Sequence, residues 1–273
     1  MTATVASLLA ASGLPPLEAQ VLAAHALATS RASLLADQAR PVNGAEARRI
    51  ERLFMRRRAG EPVAYLTGER EFFGLSLAIT ADVLIPRPET ELLVALALEL
   101  APAGARVLDL GTGSGAVAVA LAHEEPDMEV VAVDASADAL ALARENARRH
   151  GATIRFAYGD WFAGLGAGGR DERFDVIVAN PPYVAAGDEH LEQGDLRFEP
   201  RAALVSGADG LDAIRTIVAR AQDHLRPGGW LLFEHGYDQG ERCRSLLAMY
   251  GYAQVQTWPD LAGLDRVSGG RAR

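Results

Sequence analysis

The chain is predicted to be an α/β protein in which helices cover a mainly parallel β-sheet. A small helical domain is predicted to precede this part in the sequence. Two patterns predict this fold class. From Arg106 onward, short apolar runs alternate with helical stretches, which is the rhythm of βαβ units and therefore of a parallel sheet. Residues 1 to about 60 show apolar side chains at helical spacing and no strand pattern.

Bulk composition narrows the classes of protein to which the chain can belong. A length of 273 residues suits two unequal domains, and 49% hydrophobic residues suffice for a buried core. The net charge of −9 argues against direct binding to nucleic acid, where phosphate neutralisation dominates affinity. The lone Cys243 predicts neither an intramolecular disulfide nor a cysteine metal site. We expect no metal, no signal peptide and no membrane span, and hence a cytoplasmic protein.

The first 88 residues consist of a helical part and a connecting part. Pro15 and Pro16 suit a helix start, and a second amphipathic helix is predicted over Ala45–Arg58. Partly alternating apolar residues around Gly74 predict a short hairpin, and two prolines stiffen the segment Ile85–Thr90 that follows. The predicted division is a helical bundle at 1–70, a hairpin and linker at 71–88, and a larger domain at 89–273.

The larger domain alternates between helices and strands. In such sheets, ligands bind at the carboxyl ends of the strands near the point where the strand order reverses, so residues that directly follow strands are the candidate functional residues. Helices are predicted over Glu89–Leu100, Ala116–Ala122, Ala137–Arg149, Leu211–Leu225 and Glu241–Tyr250. Strands are predicted over Arg106–Leu110, Glu129–Val133, Thr153–Tyr158, Phe174–Ala179, Trp230–Glu234 and Tyr252–Trp258, with Asp265–Val267 as part of another.

A glycine-rich turn follows the first strand of this domain. Glycines that alternate along the turn let the backbone bend sharply and let a ligand approach where no Cβ intrudes. A phosphate-binding P-loop is excluded because it requires a lysine, which the chain lacks. A dinucleotide and S-adenosylmethionine both fit the spacing, so the turn alone leaves these two cofactors open. The predicted cofactor-binding residues of the turn are Gly111, Thr112, Gly113, Ser114 and Gly115.

The second and third strands also end in candidate cofactor-binding residues. Asp134 ends the second strand, where a carboxylate can accept hydrogen bonds from both ribose hydroxyls of either cofactor. It could instead merely cap the next helix. Asp160 and Trp161 follow the third strand, where an acceptor and an aromatic face suit the adenine ring. A plain core position is the alternative for Trp161.

The fourth strand ends in Asn180-Pro181-Pro182-Tyr183, which is the most informative motif in the chain. Asn180 supplies a side-chain carbonyl, and the prolines make the loop rigid and leave the carbonyl of Pro181 free to accept. Two acceptors can hold both hydrogens of a planar NH₂ group, and Tyr183 can stack on that group. An ordinary Asn-Pro turn is the alternative, but it does not explain the combination with the glycine turn and Asp134.

Held in this way, an amide or amino nitrogen directs its lone pair at the sulfonium methyl group of S-adenosylmethionine. Catalysis is then mainly positioning and electrostatics, with no strong base required. Asn180, Pro181 and Tyr183 are the predicted catalytic residues, and Pro182 joins them in binding the substrate. A dehydrogenase is disfavoured, because hydride transfer gives no role to the paired prolines.

The chain resembles the release-factor glutamine methyltransferases, the PrmC or HemK family, over nearly its whole length. This resemblance implies a class I S-adenosylmethionine-dependent methyltransferase with a Rossmann-like seven-stranded sheet and a small N-terminal helical domain that binds the partner. It implies that the segment Asn180–Tyr183 holds the glutamine of the Gly-Gly-Gln motif of bacterial class 1 peptide-chain release factors for methylation at N5, and that Asn180 also contacts the cofactor. The segments that carry it are Pro62–Gly68, Ile85–Glu91, Asp109–Ala116, Asn180–Tyr183, Glu199–Leu204, Asp209–Leu211 and Glu234–Gly236.

Other functions share the Asn-Pro-Pro-Tyr motif or the fold. N-methyltransferases that act on a ribosomal-protein glutamine or on a nucleic-acid base amine remain alternatives, although Ile85–Glu91 resembles the release-factor branch. A non-catalytic module that binds S-adenosylmethionine is an alternative of another class. The intact motif at Asn180–Tyr183 argues against it.

Overall fold

The structure is a computed structural model that describes residues 3–165 and 172–273. Most of the predicted glycine-rich loop at 164–169 lies outside these ranges. The described residues form two compact units. One consists of the chain up to Glu69 together with His190–Phe198, and the other of Arg70–Glu189 and Glu199–Arg273.

The segment His190–Phe198 belongs to the N-terminal unit, whereas the boundaries predicted from the sequence place it inside 89–273. Arg57 explains the difference, because its guanidinium donates to the carboxylate of Asp195 at 2.8 Å and to Glu18 at 2.7 Å. Arg197 adds a hydrogen bond of 2.6 Å to the carbonyl of Ala59. Such long-range ion pairs leave no periodic signal in the sequence.

The N-terminal unit is helical, as predicted. Its apolar side chains form one buried cluster that includes Leu22, Ile50 and Phe54, each at most 1% exposed. Asn43 begins the longest helix with a capping box, in which Asn43 and Glu46 bond each other's backbone N–H groups. The helices are α1 (Val5–Ala11), α2 (Pro16–Ala26), α3 (Arg31–Ala36), α4 (Gly44–Arg58) and α5 (Val63–Thr67).

The predicted hairpin is present as β1 (Glu69–Phe72) and β2 (Leu75–Ala78). Phe73 and Gly74 form its turn with φ of 51° and 76°. Two positive φ angles are typical of the tight turns that match the twist of paired strands.

The larger unit carries a seven-stranded sheet flanked by helices. The predicted bounds of Arg106–Leu110, Phe174–Ala179 and Ala137–Arg149 are confirmed. The strands are β3 (Arg106–Leu110), β4 (Glu129–Asp134), β5 (Ile154–Tyr158), β6 (Phe174–Ala179), β7 (Leu225–Glu234), β8 (Ala253–Pro259) and β9 (Asp265–Arg271). The helices are α6 (Glu91–Leu100), α7 (Ala116–Glu124), α8 (Ala137–Arg149), α9 (Arg201–Leu204), α10 (Asp212–His224) and α11 (Gly240–Met249).

Two strands, β7 and β9, extend several residues beyond the bounds that the sequence predicts. β7 begins at Leu225 instead of Trp230, and the pairing with β6 jumps from Leu225 to Trp230 so that the intervening Pro-Gly-Gly bulges out. β9 continues beyond Val267 through glycines that normally indicate a loop. At Gly269 an added Cβ would lie 2.6 Å from the carbonyl oxygen of Leu231, so only glycine lets β9 approach β7 this closely.

The strand order is β5-β4-β3-β6-β7-β9-β8. The pairs from β5 to β7 are parallel, while β9 is antiparallel to both β7 and β8. The order reverses between β3 and β6, which places a crevice at their carboxyl ends. This arrangement confirms the predicted α/β class with a seven-stranded sheet. None of the described helices is both long and apolar enough to cross a membrane.

Candidate active site

A cavity of about 430 Å³ lies at the carboxyl ends of β3, β4 and β6. Its volume is in the range typical of small-molecule sites, about 300–1,000 Å³. Gly115, Pro181 and Tyr183 are not among the lining residues. The predicted site residues that do line it are Gly111, Thr112, Gly113, Ser114, Asp134, Asp160, Trp161, Asn180 and Pro182.

The glycine turn between β3 and α7 needs glycine for two different reasons. Gly111 and Gly115 both have left-handed φ angles, 72° and 82°. A Cβ on Gly111 would lie 3.3 Å from the ring of Trp161 at the cavity wall. A Cβ on Gly115 would lie 3.0 Å from the Cβ of Ala143, so this glycine lets α7 pack against α8. The predicted cofactor contact of Gly115 therefore stays a prediction, since the structure gives this residue a packing role.

Asp109 is a buried carboxyl at the end of β3, only 1% exposed. Burial raises the pKa of Asp109 to about 7, and the nearby charge of Asp134 acts in the same direction. Hydrogen bonds from the hydroxyl of Thr112, at 2.6 Å, and from the backbone N–H of Ala118 oppose this rise in the pKa. Asp109 thereby joins the turn to the start of α7.

Asp134 is held by two backbone donors at the end of β4. One carboxylate oxygen accepts from the N–H of Gly113 at 2.8 Å, and the other accepts from the N–H of Ser136 at 2.8 Å. Each oxygen keeps capacity for a further donor. The carboxylate therefore fits the two hydroxyls of a ribose, and it also fastens the glycine turn.

Trp161 adopts φ of 50°, which is unusual for a bulky residue. Its partly buried ring packs on the core cluster and faces Gly111, and the ring and Asp160 both line the cavity. Strained backbone of this kind is common at ligand sites. An aromatic face beside a carboxylate fits an adenine ring.

Asn180 follows β6 and lines the same cavity. Its amide nitrogen donates to the hydroxyl oxygen of Thr90 at 3.1 Å. Its amide oxygen is buried and has no hydrogen-bond partner among the described residues. A buried acceptor without a donor is costly, so this atom indicates the place where a ligand donor would bind.

Tyr183 is held by hydrogen bonds through both its side-chain hydroxyl and its backbone carbonyl. Its hydroxyl donates to Glu234 at 3.0 Å, and its backbone carbonyl accepts from the amide of Gln239 at 3.0 Å. A Cβ on Gly210 would lie 2.3 Å from that carbonyl oxygen. Burial and the charge of Glu234 raise the pKa of the Tyr183 hydroxyl, so Tyr183 stays neutral and is no base.

The stiff segment before α6 forms another wall of the cavity, through Val83, Pro86 and Thr90. Its anchor is the buried carboxylate of Glu199, which accepts from the N–H of Ile85 at 3.0 Å and from the guanidinium of Arg87. This pairing gives Arg87 a structural role in holding the wall.

Thr90 and Glu234 both lie in motifs of the sequence that give neither residue a role of its own. Glu234 could have been found by the rule that led to Asn180, because it also ends a strand of the sheet, β7. No pattern in the sequence reveals Thr90, since it depends on where the extended segment packs. Within the described residues, no group of three or more His, Cys, Asp or Glu side chains could hold a metal.

Comparison with known proteins also finds an N-terminal domain followed by a methyltransferase domain. Residues 2–68 match the PrmC N-terminal domain, and residues 88–198 match the methyltransferase small domain. The release factor glutamine methyltransferase of Burkholderia pseudomallei is 53% identical over 98% of this chain and 96% of that protein. The protein of the same name from Bordetella pertussis is 54% identical over 96% of this chain and 97% of that protein.

A solved structure supports the fold independently. A methyltransferase from Pyrococcus furiosus superimposes with a TM-score of 0.55 at 20% identity, over 80% of this chain and 95% of that one. Identity near 50% across both parts of the chain goes further than fold, because it includes the N-terminal unit and the site together. The chain therefore belongs to the family of release factor glutamine methyltransferases.

Proposed function

We propose that this protein transfers a methyl group from S-adenosylmethionine to the side-chain amide nitrogen, N5, of the glutamine in the Gly-Gly-Gln motif of peptide-chain release factors. The observation that carries the proposal is the buried, unpartnered amide oxygen of Asn180 at the cavity wall. Relatives about half identical over nearly their full length are named release factor glutamine methyltransferases, and this supports the choice of substrate.

The cavity suits the proposed cofactor residue by residue. Asp134 would accept from the ribose hydroxyls, Trp161 would pack on adenine, and Asp160 would accept from the adenine amine. Gly111, Thr112, Gly113 and Ser114 would border the amino-acid end. When bound, S-adenosylmethionine supplies an electrophilic methyl group on a sulfonium.

The residues of this chain would position the glutamine. The amide oxygen of Asn180 and the carbonyl of Pro181 would each accept one hydrogen of the substrate NH₂, and the ring of Tyr183 would stack on the amide plane. Both acceptors favour the more pyramidal nitrogen of the transition state, in which the lone pair points at the methyl group. Methyl transfer would form the nitrogen–carbon bond as the carbon–sulfur bond breaks. The methylated nitrogen then releases its extra proton to water, so no side-chain base is needed.

Methyl transfer from labelled S-adenosylmethionine to a purified release factor tests this function. A factor with alanine in place of the motif glutamine is the substrate control, and Asn180→Ala is the enzyme control. Label on the unaltered factor alone would support the proposal. Label on a ribosomal protein or a nucleic acid instead would show that the enzyme has a different substrate. Binding of the cofactor without any methyl transfer would indicate a non-catalytic module.

The N-terminal helical unit is the proposed partner-binding region, as its match to the PrmC N-terminal domain supports. Its helix α4 exposes Arg48, Arg52 and Met55, a mixed basic and apolar face of the kind that binds proteins. Because release factors act in translation, we propose that the protein works in the cytoplasm.

A further inference from the structure

Asn180 and Tyr183 are connected by a buried hydrogen-bond relay that runs through two residues outside their motif. The amide nitrogen of Asn180 donates to Thr90 at 3.1 Å, and the Thr90 hydroxyl donates to one oxygen of Glu234 at 2.7 Å. The other oxygen of Glu234 accepts from the Tyr183 hydroxyl at 3.0 Å. Thr90 and Glu234 are 3% and 1% exposed, so water does not compete for these bonds.

The ionised form of Glu234 gives this relay a direction. A carboxylate can only accept, so the single hydroxyl hydrogen of Thr90 must point toward Glu234. The oxygen of Thr90 then has only lone pairs left for Asn180, which must present its NH₂ to Thr90. The amide oxygen of Asn180 is thereby turned to its other side, where it is buried and without a partner among the described residues.

We propose that Glu234, acting through Thr90, fixes the orientation of the Asn180 amide so that the site presents an acceptor and selects a substrate that donates an N–H. This inference rests on the proposed function and adds two positioning residues to it. In the reversed amide orientation, the NH₂ of Asn180 would face the NH₂ of the substrate, and two donors repel each other. The relay also excludes a glutamate side chain, because its carboxylate would meet the Asn180 oxygen.

The charges around Glu234 show how the relay could be reversed. Burial raises the pKa of Glu234 and Glu89 adds to this effect, whereas Arg266 and the hydrogen bonds from Thr90 and Tyr183 lower the pKa. The neighbouring His235 is engaged elsewhere, with Ser268 at 2.8 Å. A proton on Glu234 would turn it into a donor toward Thr90, whose hydroxyl hydrogen could then point at Asn180.

A pair of substitutions at Thr90 separates the relay from simple packing. Thr90→Val keeps the side-chain shape and removes the hydroxyl, while Thr90→Ser keeps the hydroxyl and removes the methyl group. We expect kcat for methylation of the release factor to fall about 10- to 100-fold in Thr90→Val. In Thr90→Ser we expect it to stay within about fivefold. Glu234→Gln should behave like Thr90→Val, because a carboxamide can donate to Thr90 and so no longer fixes the direction.

The Kd for S-adenosylmethionine and the melting temperature show whether each variant is folded, and Thr216→Val on the exposed face of α10 is the matched control. A loss of kcat in Thr90→Ser together with full activity in Thr90→Val would overturn the relay, since packing alone would then explain the position. Unchanged kcat in Glu234→Gln would overturn it as well.

A second readout does not depend on turnover. The side-chain NH₂ of Asn180, observed by NMR, should exchange with solvent at least about tenfold faster in Thr90→Val than in the unaltered protein, because its buried acceptor is gone. Equal exchange in both proteins would contradict the relay. An unaltered protein that protects this NH₂ but labels no release factor would overturn the proposed function alone and leave the relay supported.

Discussion

Opposing forces act on the carboxyl group of Asp109 at the first turn of the site. Burial raises its pKa to about 7, although the Thr112 hydroxyl and the Ala118 N–H favour the ionised form. The folded protein therefore binds a proton more tightly than the unfolded chain does. By linkage, this group's contribution to stability is complete below about pH 4, where both states are protonated, and it is lost as the pH rises toward 7.

We expect Asp109→Asn to gain stability relative to the unaltered protein as the pH rises from 4 to 7, and to gain no more at higher pH. A pKa shift of about three units corresponds to roughly 4 kcal/mol at most. Urea unfolding of the cofactor-free protein at several pH values measures the difference. Asp127→Asn, in an exposed turn, is the control and should show no such trend. A difference that is constant with pH would contradict the raised pKa.

Asn180 is the residue on which the proposed chemistry depends most. Removing its amide oxygen takes away one of two proposed acceptors for the substrate NH₂, an interaction that strengthens in the transition state. We expect Asn180→Ala to lower kcat about 100- to 1,000-fold, which is the usual effect of losing one preorganised polar group at a reacting centre. Single-turnover methylation measures this effect, and a kcat within a few-fold of the unaltered protein would refute the assignment.

At the scale of secondary-structure elements, one amide side chain joins a helix to the hairpin and to the glycine turn. Asn146 on α8 is fully buried. It accepts from the N–H of Ala78 at 2.7 Å and donates to the carbonyls of Ala78 at 3.0 Å and Ser114 at 2.8 Å. It thus bonds the end of β2 in the way that a neighbouring strand would.

We expect Asn146→Ala to lower the free energy of unfolding by about 3 kcal/mol, because it leaves the buried N–H of Ala78 without a partner. Denaturant unfolding measures this loss. Arg148→Ala on the same helix is the control, since that side chain is 74% exposed and should matter by less than about 0.5 kcal/mol. Equal effects of the two substitutions would show that the buried amide is not the cause.

For the whole molecule, the cavity predicts which cofactor stabilises the fold. A ligand at 100 times its Kd adds about 2.7 kcal/mol to the free energy of unfolding. We therefore expect S-adenosylmethionine to raise the melting temperature by several degrees, and NAD to leave it unchanged. A shift with NAD, or none with S-adenosylmethionine at millimolar concentration, would contradict the cofactor assignment.

We propose that the N-terminal unit binds the release factor and that the larger unit carries out methyl transfer. A substitution on the surface of the N-terminal unit should therefore change KM and leave kcat unchanged. Arg52 is exposed on α4 and is not one of the residues that line the cavity. We expect Arg52→Glu to raise KM for the release factor several-fold while leaving kcat and the Kd for S-adenosylmethionine unchanged. The control is Arg148→Glu on the exposed face of α8. An unchanged KM for the release factor would contradict the proposal that α4 belongs to the partner-binding surface.

Local patterns were sufficient to predict most of the fold and several of the residues that line the cavity. Apolar patterning predicted the ends of β3, β6 and α8 correctly. The two strands are buried along almost their whole length, and α8 buries one regular apolar face, so each element carries a continuous signal. The glycine turn, Asp134 and Asn180 could be predicted because parallel strands bring the residues after them to one edge. By contrast, the predicted β9 is too short, because its Gly269 is required by the close approach of β7, a contact between segments distant in sequence.

What the sequence by itself determined is the α/β class, the family and the presence of the Asn-Pro-Pro-Tyr motif after the fourth strand of the larger domain, because these follow from short-range patterns and from identity with relatives. Only the tertiary structure decided that Thr90 and Glu234, 144 residues apart, share a hydrogen bond. It also decided that Gly115 serves packing and that Asp195 joins the N-terminal unit. The physical reason is the same each time: a buried polar atom must find a partner, and which partner it finds depends on packing between distant segments.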